Sequence, residues 1–178
     1  MGADASRAQL HPGAEPFVGW DDATLESFVD FILRCSVVSV RMSKWNMVEF
    51  VGTQKIQQVG DLFALFDSGQ EACVNVLPFA CSLVLLSLDV PLEARLRSCL
   101  RLVDWAGVGE LSVADFALLV KASIDGLSRV LVGASWLRRD GIVRELCRRL
   151  LPEGSRSASS IVEAALGDEA LSAALLCL

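Results

Sequence analysis

Several oxygen-bearing side chains fall within the stretch DWAGVGELSVADF, residues 104–116. Asp104, Ser112 and Asp115 can offer side-chain oxygens and Glu110 a backbone carbonyl, the donor chemistry of a hard cation such as calcium or magnesium. Ala106 and Val108 between them supply no side-chain oxygen. Asp115 is shorter than glutamate and favours a single oxygen contact, closer to magnesium's preference. Upstream, LFALFDSGQEACVNVLPF offers Asp67, Glu71 and Asn75, with Gly69 and Pro78 at positions that supply no side-chain oxygen. In a third stretch, VSVRMSKWNMVEF, Val38, Val40 and Met42 supply no side-chain oxygen.

Other chemistries find little support. The only histidine is His11, so Ser-His and Cys-His catalysis would need an N-terminal residue folded over a pocket. The six cysteines (Cys35, Cys73, Cys81, Cys99, Cys147, Cys177) form no CxxC pair and read as small core residues in a reducing compartment. No catalytic constellation is present, and a non-enzyme is expected. A net charge of −6 and a pI near 4.8 argue against nucleic acid. Arg138, Arg139, Arg144, Arg148 and Arg149 are spread over a helix and read as a solvated face.

These stretches must be held by helices, because the apolar periodicity is helical from Asp21 onward. Asp21 or Asp22 can cap a helix carrying Leu25, Phe28, Val29, Ile32 and Leu33. Ile56, Val59, Leu62, Phe63 and Phe66 form a second stripe, and Phe79, Leu83 and Leu86 a third after Pro78. Pro91 can open a helix carrying Leu92, Leu96, Leu100 and Val103. Phe116, Leu119, Val120 and Ile124 follow, then Ile142, Val143, Leu146 and Leu150 up to the break at PEGS. Ser160 with Glu163 has capping-box spacing for the last helix. The uncharged run Ala72 to Leu88 reads as a core helix preceded by a loop, since Asn75 and Pro78 interrupt it and it is short for a span. Residues 1–20 read as a flexible tail. They begin MGADASR, which places Gly2 and Ser6 in the pattern for N-myristoylation.

Helix, short loop, helix, recurring along the chain, indicates an internal repeat. Asp104 at the first loop position, Gly109 at the sixth, Leu111 at the eighth, Ser112 at the ninth, Asp115 at the twelfth and Phe116 next resemble an EF-hand. The loop 67–78 resembles a second, with Asp67 first, Val74 eighth and Phe79 after the loop. Weaker copies are a first hand, with Trp45 eighth and Glu49 twelfth, and a fourth in GDEALSAALL, with Leu171 and Ser172 matching Leu111 and Ser112. The layout is similar to the calmodulin and calcineurin B superfamily with degenerate loops, and VEFVGTQKIQQVGDLFALFD is particularly like the passage between the first two hands of calcineurin B-type subunits.

The resemblance implies an all-α fold of paired EF-hand-like units in two lobes, residues 21–90 and 91–178, after the tail 1–20. It implies a non-catalytic adaptor or regulatory subunit that binds an amphipathic helix of a larger partner, largely independent of calcium. The alternative is a calcium sensor or buffer using the third loop. Groove residues would be Phe63, Phe66, Phe79, Leu83 and Leu86 in the first lobe, and Leu100, Val103, Phe116, Leu119 and Val120 in the second. Each also suits an intramolecular core. A mean hydropathy of +0.47 with 53% hydrophobic residues fits thick apolar faces of either use. The expected setting is cytoplasmic, without a transmembrane segment and with an acylated Gly2 as a possible membrane tether.

Overall fold

The computed structural model describes residues 9–36, 40–104, 106–133, 141–152 and 154–169. Among them run α1 (Asp22–Ser36), α2 (Lys44–Val51), α3 (Ile56–Ala64), α4 (Val76–Leu86), α5 (Leu92–Arg101), α6 (Val113–Val130), α7 (Ile142–Leu150) and α8 (Ala158–Gly167). The class is mainly helical, as expected, with six short strands added: β1 (Gln9–Leu10), β2 (Arg41–Ser43), β3 (Cys73–Asn75), β4 (Glu110–Ser112), β5 (Leu131–Val132) and β6 (Ser155–Ser157). They form three antiparallel ladders, β1 with β5, β2 with β3 and β4 with β6. None exceeds three residues, too short for strand alternation to show in the sequence.

The strands β2, β3, β4 and β6 each run directly into a helix, and the last residue of each strand is that helix's N-cap. Ser43, Asn75, Ser112 and Ser157 accept hydrogen bonds from backbone N–H groups in the first turns of α2, α4, α6 and α8. Ser43 with Asn46, and Ser112 with Asp115, close full capping boxes. One residue beyond each third helical position stands a buried apolar side chain: Met47, Phe79, Phe116 and Ile161. The same local design therefore recurs four times.

This alignment corrects two sequence expectations. Val74 faces Met42, not Trp45, across the first of these ladders. Met42 is 1% exposed and Trp45 66%, so the inward residue opposite Val74 lies three residues earlier than the apolar pattern suggested, and Glu49 lies inside α2. The strand facing Leu111 is centred on Arg156, and Ser157 rather than Ser160 caps the last helix. An arginine where β2, β3 and β4 carry the buried Met42, Val74 and Leu111 hid this strand. Leu171 and Ser172, the expected match, lie outside the described residues.

Residues 9–20 are not a tail. Leu10 pairs with Leu131, Ala14 and Phe17 are fully buried, and Trp20 packs on Phe17 and Phe28 at ring distances of 6.3 and 4.8 Å. Pro16 sits in a single tight turn over Glu15–Phe17, a shape without helical period, and so without a sequence signal. Gly2 and Ser6 lie outside the described residues.

The core is continuous across the expected lobe boundary at residues 90 and 91. Its centre is α4, all eleven residues of which are buried. It packs against α6 most extensively, and against α5 and α1. A helix apolar on every side needs cover on every side. On the surface, Arg101 joins α5 to α1 through Glu26 at 2.5 Å and Asp30 at 2.6 Å. No helix is long and apolar enough to cross a membrane among the described residues.

Candidate functional site

The loop between α5 and β4 is shaped by Asp104. Its Oδ1 accepts from Val108 N at 3.1 Å and its Oδ2 from Gly109 N at 2.8 Å. Gly109 (φ +73°) supplies the left-handed turn into β4. The carbonyl of Gly109 accepts from Ala158 N at 2.8 Å, extending the ladder to the last helix. At the other end of the loop, Ser112 Oγ donates to Asp115 Oδ2 at 2.6 Å, and Asp115 N donates back to Ser112 Oγ at 3.2 Å. Glu110 is exposed on β4, opposite Ser157.

The loop after α3 repeats the brace. Asp67 Oδ1 accepts from Glu71 N at 2.9 Å and Oδ2 from Ala72 N at 2.6 Å. Ala72 holds the place of Gly109 and is left-handed, with φ +53°, as is Gln70 at +54°. The Glu71 carboxylate pairs with Arg41 at 2.5 Å, and Asn75 Oδ1 accepts from Leu77 N at 3.1 Å.

Sequence proximity therefore becomes spatial grouping only in part. Asp104 braces the beginning of its loop, whereas Asp115 is engaged by Ser112 at its end. Among the described residues no three His, Cys, Asp or Glu side chains converge as a metal-holding group. Calcium asks for about six to eight oxygens with a bidentate acid at the last position. The set Asp104, Glu110, Ser112 and Asp115 falls short of that, because Ala106 and Val108 bring no side-chain oxygen. Asp67, Glu71 and Asn75 fall shorter still, with Glu71 committed to Arg41. The residues do not fit an ordinary calcium site.

The groove set is brought together as core. Phe63, Phe66, Phe79, Leu83, Leu86, Leu100, Val103, Phe116, Leu119 and Val120 are all buried within the chain. Phe63 and Phe66 each meet Phe79 at 5.2 Å between ring centres. The faces expected to clasp a partner are thus covered by the chain itself.

Two polar features inside this core gave no periodic signal. Arg95, 3% exposed, donates from Nη1 to the Leu85 carbonyl at 2.6 Å, placing a cation at the C-terminal end of α4, where the helix dipole favours it. Its Nε and the Ser98 hydroxyl one turn on have no hydrogen-bond partner among the described residues, and burial pushes the guanidinium below the usual arginine value. Beside them, a hydrogen bond with Cys81, together with burial, drives the Cys99 thiol well above the ordinary range. These cysteines, with Cys35, Cys73 and Cys147, are free thiols; Cys177 lies outside the described residues. The arginines of α7 are partly paired, Arg148 with Glu145 at 2.7 Å and Arg149 with Asp168, while Arg138 and Arg139 lie outside the described residues.

No protein-family model matches the chain, and no curated protein matches its sequence.

Proposed function

We propose that the chain is a non-catalytic, EF-hand-like adaptor or regulatory subunit that binds an amphipathic helix of a larger protein, largely without calcium. The observation that carries this reading is the fourfold recurrence of strand, N-cap and buried apolar residue, with the strands joined in pairs as Met42–Val74 and Leu111–Arg156. Aspartates that open two of the loops hold backbone N–H groups, so these loops keep a shape without metal. A helix laid into the apolar face between such helix pairs is a recurring recognition mode, and here a partner helix would have to displace the chain's own cover from that face. The setting fits the cytoplasm, and Gly2 would be a membrane tether if acylated.

The test is calorimetry of the full chain with an amphipathic model helix of leucine and lysine, with excess calcium and again with chelator. Binding of equal affinity in both conditions is expected. Absence of binding in both would overturn the adaptor reading. Micromolar calcium binding that disappears in Asp104→Ala would replace it with a calcium sensor.

A further inference from the structure

We propose that the last turns of α6 form a latch that holds the helix-binding face shut, a regulatory device resting on the reading above. The latch has two adjacent contacts and a strap.

At Gly126, a Cβ would lie 2.1 Å from the Pro78 carbonyl oxygen and 3.0 Å from the Ser82 Cβ. Glycine inside a helix is unfavourable relative to alanine, and here its missing side chain lets α6 press on the first turns of α4. Three residues on, Arg129 reaches the end of α3, on the far side of the segment that joins α3 to α4. Its Nη1 donates to the Leu65 carbonyl at 3.4 Å, its guanidinium lies 5.7 Å from the centre of the Phe66 ring, and its Nε donates to Asp125 at 3.2 Å. Leu65 is the C-cap of α3, so one stretch of α6 grips the end of α3 and the start of α4 together. The strap is β1: His11 N donates to the Val130 carbonyl at 2.7 Å, and Leu10 pairs with Leu131.

Phe66, Phe79 and Leu83 belong to the first half of the groove set, Leu119 and Val120 to the second. The packing of α4 on α6 sets these halves against each other, so a partner helix must displace one from the other. Arg129 and Asp125 retain solvent access, and contacts at such an edge can open without dismantling the centre.

Ser82→Cys places a reporter thiol beside Gly126. Its alkylation rate, located by mass spectrometry, is compared in the full chain with Gly126→Ala or Arg129→Ala added. The rate should rise by about tenfold or more with Gly126→Ala and by about fivefold with Arg129→Ala, at unchanged helix content. The leucine–lysine helix should then bind more tightly by similar factors, because apparent affinity scales with the open fraction. Should Gly126→Ala fail to fold, Arg129→Ala decides alone. An unchanged rate at position 82 would overturn the latch. A raised rate with no binding of the helix in any variant would support the latch and remove the helix-binding role.

Discussion

Leu111 and Arg156 face each other across an antiparallel ladder, so the loop after α5 and the loop after α7 are built as a pair. Leu111 is 1% exposed, whereas Arg156 is half-buried and extends Nη1 to the Leu150 carbonyl at 3.3 Å. An apolar residue on one strand and an aliphatic stem tipped by a charge on the other can share one side of a ladder.

Leu111→Ala and Met42→Ala should each destabilise the chain by about 2–5 kcal/mol, the usual cost of emptying a buried site. Trp45→Ala should stay within about 0.5 kcal/mol, as an exposed substitution. Urea unfolding followed by circular dichroism measures all three. A Trp45 effect as large as that of Met42 would mean the first loop's register is set by Trp45 after all.

Ala72→Gly should stabilise the protein by about 1 kcal/mol, because a left-handed alanine is strained where its counterpart is Gly109. The same unfolding assay reads it. Destabilisation would show that the loop gains more from the alanine side chain than the backbone loses.

Ser112→Ala removes the N-cap of α6 and opens its capping box, at an expected loss of about 0.5–2 kcal/mol. Ser43→Ala should behave alike at α2, since the two boxes share one geometry. A neutral result at both positions would sink the claim that these caps are equivalent structural elements.

Asp104→Ala, studied in chelator, should still lower stability by about 1–3 kcal/mol, because two loop N–H groups lose their acceptor. This separates bracing from metal binding. If the variant matches the parent in chelator and differs only in calcium, the carboxylate acts as a ligand.

Asp21 caps α1 by accepting from Thr24 N at 2.8 Å. Hydrogen bonds from the Thr24 side chain and then its backbone hold this carboxyl below the usual aspartate value. A lowered folded value means the contribution is complete above the unfolded value and is lost as pH falls through the folded one. Carboxyl resonances of Asp21 should titrate below those of an unstructured aspartate, with Thr24 amide protection falling over the same range. Titration at the ordinary value would refute the cap's electrostatic role.

Much of the helical layout was legible because its signals are local. Leu25, Phe28, Val29 and Ile32 recur at helical spacing and are buried; Asp67 and Asp104 stand at helix ends and brace the loops that follow. The candidate metal ligands were legible as residue types only. Whether Asp104 and Asp115 share an ion or serve opposite ends of a loop depends on backbone direction, which spacing along the chain leaves open. Arg95 could not be recognised as buried, since its partner is a backbone carbonyl on another helix.

Sequence alone determined the helical class, the order of apolar stripes and the residues suited to caps and turns, all of which follow from interactions within about one or two helical turns. Tertiary structure decided which strand meets which, that Met42 rather than Trp45 lies inward, that Ala14, Phe17 and Trp20 join the core, and that α4 lies against α6. A three-residue strand has no stability until a distant strand completes its hydrogen bonds, and an apolar stripe specifies burial without naming the surface that covers it.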